Sequence, residues 1–85
     1  MASITVKVGS SVGLHARPAA IISEKAAELD ADVTLAVPGG DPVDADSALL
    51  IMTLGASNGD EVVVSSDDDA AAQTIADLVA TDLDA

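Results

Sequence analysis

The chain has 85 residues, of which 49% are apolar, and it contains no cysteine and no aromatic residue. This length fits one small domain over residues 1–85, and the missing cysteines exclude disulfides and cysteine-rich zinc sites. The formal net charge of −12 argues against nucleic acid as a partner, because its phosphates would be repelled. The sequence shows neither a signal peptide nor an apolar stretch long enough to cross a bilayer. We therefore expect a cytoplasmic monomer without membrane insertion.

The acidity leaves two interpretations open. Fifteen acidic residues stand against only Lys7, Arg17 and Lys25. They could form an acidic surface for a basic partner, or they could be an adaptation to a salt-rich cell. At molar salt the Debye length is only about 3 Å, so self-repulsion would be screened. Because the acids are spread along the chain, we favour the second interpretation, and a halophilic host is our hypothesis.

The first part of the chain predicts a strand, a loop, a helix and a second strand. Apolar and polar residues alternate over 3–8, as in a half-buried strand, and residues 9–13 form a loop. A helix follows, with Pro18 in its first turn, and closes at 30–32. Alternation over 33–37 predicts the second strand. The apolar face of the helix is formed by Ala19, Ile22, Ala26 and Leu29.

The middle of the chain predicts a turn, a short strand and a short helix. Proline and glycine mark a turn over 38–42, which leaves room for only a short strand around 43–45. Ser47 is a suitable N-cap for a helix over 48–54. Gly55 is then placed to end that helix.

The last part predicts a strand and a helix. Asn58 and Gly59 mark a turn before a strand centred on 62–64. Aspartates at 67–69 can cap the free N–H groups of the helix that follows. The apolar stripe of that helix is formed by Ala72, Ile75, Ala76, Val79 and Leu83. Four alternating strands and three amphipathic helices predict an α+β fold, with one sheet covered on one face.

One segment, Gly-Leu-His-Ala-Arg-Pro-Ala at 13–19, brings together groups that suit a phosphohistidine. His15 falls where a loop becomes a helix, and the first N–H groups of a helix form an anion site. Arg17 adds a charged fork of donors suited to phosphate. From these residues alone, a helix cap or an ordinary surface histidine stays the commoner interpretation. We expect no metal, because one histidine without cysteine makes a zinc site only if several carboxylates converge.

This segment resembles the active-site motif of the HPr family, the histidine-containing phosphocarriers of the sugar phosphotransferase system. Ser47 and the following Ala-Leu-Leu-Ile-Met-Thr-Leu-Gly resemble the serine and second helix of that family. The resemblance covers essentially the whole chain. It implies an open-faced β-sandwich, in which three helices lie on one face of a four-stranded antiparallel sheet.

The resemblance also implies a function. A phosphoryl group would pass from phosphoenolpyruvate through enzyme I to Nδ1 of His15, and then to the IIA component of a sugar permease. Arg17 would stabilise that group, and the backbone N–H groups of Ala16 and Arg17 would bind it. Such a protein is a stoichiometric carrier without a cofactor, not an enzyme. The alternatives are a related protein that serves a regulatory phosphorelay or a dihydroxyacetone kinase, and a plain interaction module.

The short second helix has almost no polar face. We expect Ile51 and Leu54 to point into the core, while Ala48, Leu49 and Met52 form a docking surface near His15. The competing interpretation is that a small core without aromatic residues needs all of these side chains. Few basic residues surround the motif, apart from Arg17 and Lys25. Docking should therefore depend mainly on apolar contact.

Ser47 matches the position that a dedicated kinase phosphorylates in some members of the family. A phosphate is tolerated at a helix N-terminus. However, Asp46 precedes Ser47, and its charge would oppose a phosphoserine. The simple role of N-cap is the stronger interpretation.

Overall fold

The computed structural model describes residues 2–83, and these contain the seven predicted elements in the predicted order. The third strand has two residues rather than three, and Val8 and Val37 lie just beyond the ends of their strands. The elements are β1 (Ala2–Lys7), α1 (Ala16–Glu28), β2 (Val33–Ala36), β3 (Val43–Asp44), α2 (Ala48–Thr53), β4 (Glu61–Ser66) and α3 (Asp69–Ala80).

The four strands form one antiparallel sheet in the order β1-β4-β2-β3. Val64 of β4 lies opposite Ile4 of β1 on one side and Leu35 of β2 on the other. Because alternate residues of a strand point to opposite faces, these three side chains share the inner face. The outer face carries short polar side chains such as Ser3 and Ser65, whose Oγ atoms lie 3.0 Å apart.

The helices cover the inner face of this sheet. Helix α3 packs against β1 and β4, α1 contacts α2 and α3, and α2 contacts β3. This arrangement confirms the predicted α+β open-faced sandwich. Each fully buried aliphatic side chain contributes roughly 1.5–3 kcal/mol, so a core without aromatic rings depends on many small contributions. The larger side chains in it are Val8, Leu14, Ile22, Val33, Leu35, Ile51, Val62, Val64, Ile75 and Val79.

Helix α3 begins as predicted but ends earlier. The Asp68 carboxylate accepts hydrogen bonds from the N–H groups of Ala70 and Ala71, at 2.9 and 3.1 Å. The backbone turns extended at Thr81, so Leu83 lies outside the helix. The prediction that Leu83 belongs to the helical stripe is therefore wrong, although its side chain packs half-buried against the core.

Helix α2 places its apolar residues partly as predicted. Ile51 is fully buried and Leu49 is 70% exposed. Leu54 is the C-cap and is only half-buried, so it contributes less to the core than expected. Met52 is also half-buried, and we find no methionine among the buried core residues of 2–83.

Candidate functional site

His15 is the N-cap of α1, and its backbone is extended with φ −91° and ψ −166°. Its carbonyl oxygen accepts the N–H of Ala19 at 2.9 Å, which closes the first turn. The imidazole makes no capping hydrogen bond and is exposed to solvent. The backbone of His15 therefore serves the helix, while its ring stays available to another molecule.

The first turn of α1 offers two backbone donors beside this ring. Pro18 has no N–H, and Ala19 donates the first bond within the helix. The N–H groups of Ala16 and Arg17 have no acceptor one turn earlier in the helix. Such groups, together with the helix dipole, attract an anion. The phosphate-binding turn at Ala16 and Arg17 stays a prediction.

Arg17 adds a mobile positive charge to this turn. It is the second residue of the helix, it is exposed, and no acidic residue shares the first turn. On the same helix, Lys25 forms an ion pair with Glu28, with Nζ 3.9 Å from Oε1. Lys25 lies in the last turn of α1, about 12 Å farther along the helix axis at 1.5 Å per residue. Lys25 therefore lies well away from Arg17, and its part in docking stays a prediction.

The loop before His15 rests directly on residues 56 and 57. The N–H of Leu14 donates to the carbonyl oxygen of Ala56 at 2.9 Å. Gly13 has φ +78°, and a Cβ there would lie 2.5 Å from the same oxygen and 2.9 Å from Cα of Ser57. Only glycine fits both this conformation and this approach. The contact fixes where α1 begins and hence where His15 stands.

Asn58 holds the start of the same loop. Its side-chain Nδ2 lies 3.3, 3.3 and 3.1 Å from the carbonyl oxygens of Val8, Gly9 and Ser10. The N–H of Gly9 donates to the carbonyl of Val79 at 2.9 Å, near the end of α3. The loop is thus supported from two sides by segments far away in the sequence. Asn58 was predicted only as a turn residue, because its three acceptors lie about fifty residues earlier in the chain.

A depression of about 120 Å³ lies beside His15. Met52 forms part of its wall, so α2 reaches the histidine as predicted, whereas Leu49 and the half-buried Ala48 do not line it. Val12, which is 57% exposed, also lines it and was not predicted as a site residue. The complete lining is Val12, Leu14, His15, Met52, Gly55, Ala56 and Ser57.

Ser47 acts as the N-cap of α2. Its Oγ accepts the N–H of Leu50 at 3.3 Å, as expected for a capping serine. Asp46 beside it is exposed. Leu50 is 39% exposed, a position that was not predicted to face solvent. The regulatory phosphorylation of Ser47 stays a prediction.

The acidic residues are distributed unevenly along the chain, although one of them, Asp60, lies beside the depression, where its carboxylate accepts the N–H of Ser57 at 2.9 Å. Residues 1–23 and 47–59 contain none of the 15 acidic residues, and they include two of the three basic ones. These two segments supply every residue that lines the depression. Within residues 2–83 no group of three or more histidine and acidic side chains is placed to hold a metal. No helix in that range is long and apolar enough to cross a membrane.

Comparisons with known proteins agree with this geometry. The family model described as the PTS HPr component phosphorylation site matches residues 2–81. A phosphocarrier protein HPr from Streptomyces coelicolor is 44% identical over 87 residues, which cover 99% of this chain and 94% of that protein. The crystal structure of a phosphocarrier protein HPr from Bacillus anthracis superposes with a TM-score of 0.84 at 28% identity, covering 92% of this chain and 95% of the other. The HPr-C-His protein from Thermoanaerobacter tengcongensis gives 0.82 at 32% identity, over 93% and 91% of the two chains.

Proposed function

Because this chain belongs to the HPr family of phosphocarriers of the phosphotransferase system, we propose that His15 accepts a phosphoryl group from phosphorylated enzyme I and passes it to a IIA component. As a member of that family, the chain is a carrier rather than an enzyme. We place the transfer in the cytoplasm, with the chain acting as a monomer. The observation that carries the proposal is the exposed, uncapped imidazole of His15 at the start of α1.

The proposed step needs little covalent work from the carrier. The bond between phosphorus and the donor breaks as a bond forms to Nδ1 of His15, whose lone pair is the nucleophile. Negative charge on the transferring oxygens would be stabilised by the N–H groups of Ala16 and Arg17 and by the Arg17 guanidinium. Since these donors are already oriented by the helix, the protein supplies position and charge rather than a catalytic base.

We also propose that the exposed apolar side of α2 contacts both partners. Leu49 is 70% exposed, and Met52 reaches the depression beside His15. Ala48 lies in the first turn of the helix, next to the N-cap, and its small side chain would let a partner approach the helix closely. A single apolar surface next to the histidine would suit a carrier that must bind two different proteins in turn.

Intact mass after incubation with phosphoenolpyruvate and the enzyme I of the same organism tests the proposal. We expect a single acid-labile phosphoryl adduct on the wild-type chain and none on His15→Ala. Because the chain has one histidine, that variant separates phosphohistidine from a labile adduct on Lys7 or Lys25. An unchanged wild-type mass with active enzyme I would refute the proposal.

The second acceptor is identified by adding candidate proteins to the phosphorylated chain. Loss of the adduct to a IIA component, with label recovered on that component, is the expected result. Loss only to a dihydroxyacetone kinase subunit or to a regulatory protein would instead favour the alternative role. Both outcomes use the same phosphohistidine at His15. The experiment therefore identifies the pathway that the chain serves and does not test which residue is phosphorylated.

A further inference from the structure

We propose that Asn58 is a site of spontaneous deamidation, which the folded loop before His15 protects and which reacts when that loop opens. Asn58 is exposed, it is the one asparagine of the sequence, and Gly59 follows it. The inference concerns the chemistry of a side-chain amide and stands apart from the proposed function. Only its consequence for phosphoryl transfer rests on that function, because the loop positions His15.

An asparagine followed by glycine deamidates with water as the only other reactant. The backbone nitrogen of Gly59 attacks Cγ of Asn58, a bond forms between these two atoms, and the bond from Cγ to Nδ2 breaks. The leaving Nδ2 takes the backbone proton and departs as ammonia. Water then opens the cyclic imide to aspartate or isoaspartate. Because glycine has no Cβ to obstruct the attack, it is the residue that favours this reaction most.

Both reacting groups are held by the loop in the folded chain. The N–H of Gly59 donates to the carbonyl oxygen of Val8 at 2.9 Å. Nδ2 of Asn58 lies 3.1 to 3.3 Å from the carbonyl oxygens of residues 8, 9 and 10. The attack removes the proton from the first group and turns the second group toward it, so both sets of hydrogen bonds must break first. The folded loop therefore protects the amide.

The turn that contains the pair also keeps the two reacting atoms apart. The N–H of Asp60 donates to the carbonyl oxygen of Ser57 at 2.9 Å, and Gly59 has φ +86°. Because no other type of residue in 2–83 has a positive φ, this is a type II turn, in which the residue before the glycine is extended with ψ of about +120°. At this ψ the following nitrogen points away from Cβ, whereas ring closure needs the two atoms side by side. The turn must therefore rotate before the imide can form.

The segment that carries the pair also supports the far end of the loop. The N–H of Leu14 donates to the carbonyl oxygen of Ala56 at 2.9 Å, and a Cβ on Gly13 would lie 2.5 Å from that oxygen. The loop is therefore held against residues 56–59 at both of its ends. When the loop lifts from this segment, the amide of Asn58 and the N–H of Gly59 become free together. Deamidation then accumulates on chains whose loop has been open.

The product of the reaction supports the loop less well than asparagine does. Nδ2 of Asn58 is a donor, whereas an aspartate carboxylate only accepts hydrogen bonds and would face three carbonyl oxygens. Repulsion between these oxygens weakens the contact with residues 8–10, and isoaspartate also lengthens the backbone of the turn. A modified chain thus keeps His15 but holds its loop less firmly. Since water does not restore the amide, the change is permanent.

Intact mass and peptide mapping during incubation at mildly alkaline pH test the reaction. We expect the wild-type chain to deamidate at residue 58 at least about tenfold faster in guanidinium chloride than in its folded state. Gly13→Ala, which forces the loop away from residue 56, should raise the rate in the folded state several-fold. Gly39→Ala is the matched control, because Gly39 has nearly the same φ but no atom within 4 Å of a Cβ. It should leave the rate unchanged.

The effect of the product is measured on Asn58→Asp. Gln73→Glu is its matched control, because it makes the same change from amide to carboxylate on an exposed residue of α3, which bonds only within the helix. We expect Asn58→Asp to lower Tm by about 5 °C, and Gln73→Glu to lower it by less than half as much. Phosphoryl transfer from enzyme I should slow roughly three- to tenfold for the first variant and stay unchanged for the second.

Three outcomes would overturn the inference. They are equal rates of deamidation in the folded and denatured wild type, equal rates in the two glycine variants, and an Asn58→Asp protein with the Tm and transfer rate of the wild type. The rates of deamidation are measured without enzyme I. If the wild type takes no phosphoryl group, the proposed function has failed while the deamidation of Asn58 is still decided by mass.

Discussion

Two regions of the sequence differ sharply in charge. Residues 1–23 and 47–59 carry the histidine, Arg17 and the depression, and they contain no acid. Residues 24–46 and 60–85 carry all 15 acids and only Lys25 as a base. The difference teaches that the net charge of −12 describes the second region and says little about the first. The two regions meet beside the depression, where the Asp60 carboxylate of the second accepts the N–H of Ser57 of the first at 2.9 Å.

Substitution of Arg17, in the region without acids, is expected to have the largest effect on the rate of phosphoryl transfer. Because Arg17→Gln removes a cationic side chain from the turn that begins at His15, we expect transfer to slow by about 100-fold, or about 2.7 kcal/mol, with stability unchanged. Lys25→Gln is the matched control on the same helix and should change the rate by less than about twofold. Rapid-quench kinetics with phosphorylated enzyme I would measure both. Equal losses would mean that overall charge, and not its position, governs transfer.

Two glycines with nearly equal positive φ, one in each region, allow the effect of substitution on the free energy of unfolding to be compared. Gly13 has φ +78° against the backbone of residues 56 and 57, whereas Gly39 has φ +81° with nothing within 4 Å of a Cβ. Gly39→Ala should cost about 1 kcal/mol for the left-handed backbone alone, and Gly13→Ala about 2 kcal/mol or more, because the loop must also move. Urea unfolding measures the difference. Equal losses would show that the loop before His15 adapts freely.

Salt should affect the acid-rich region most. Between roughly 0.1 and 1 M NaCl the Debye length falls from about 10 to about 3 Å, and repulsion among the acids is screened. We expect the free energy of unfolding to rise by about 1.5 kcal/mol. The double variant Asp67→Asn/Asp69→Asn should gain less from the same salt. A stability that does not respond to NaCl would contradict the hypothesis of salt adaptation.

The smallest expected effect is a difference in stability between two neighbouring substitutions, one at an aspartate that caps a helix and one at an aspartate that does not. Asp68 caps α3, whereas Asp67 is exposed and precedes the cap. Asp68→Ala should lower stability by about 1 kcal/mol. Asp67→Ala should lower it little, or raise it at low salt, because it removes charge without removing a cap. Thermal unfolding of the two variants side by side checks the prediction.

Local patterns were sufficient to predict most of the fold. Alternation found β1, the alanine and isoleucine stripe found α1, and Ser47 marked the start of α2, because each signal lies within one element. Helix ends were harder. Leu83 continues the spacing of α3, yet the backbone leaves the helix at Thr81. The spacing of apolar residues alone does not predict where such a helix ends.

The residues suited to bind a phosphoryl group could be predicted from the sequence, but the contacts that hold the loop before His15 could not. His15, Ala16 and Arg17 are neighbours in the chain, so the anion-binding turn could be derived from the sequence. The contacts of Gly13 with Ala56 and of Asn58 with the loop join segments more than forty residues apart. The exposure of Val12 likewise depends on how that loop is held. Only the folded arrangement shows these relations.

The bond from Gly9 to Val79 joins the loop before His15 to the end of the last helix. During synthesis, Gly9 and His15 are added to the chain early, and Val79 is added almost last. A chain that is still being made, or that is cut before α3, contains the histidine but lacks one of the supports of its loop. We expect such a chain to be a poor acceptor. Acceptance of a phosphoryl group would then mark a chain that is fully synthesised and folded.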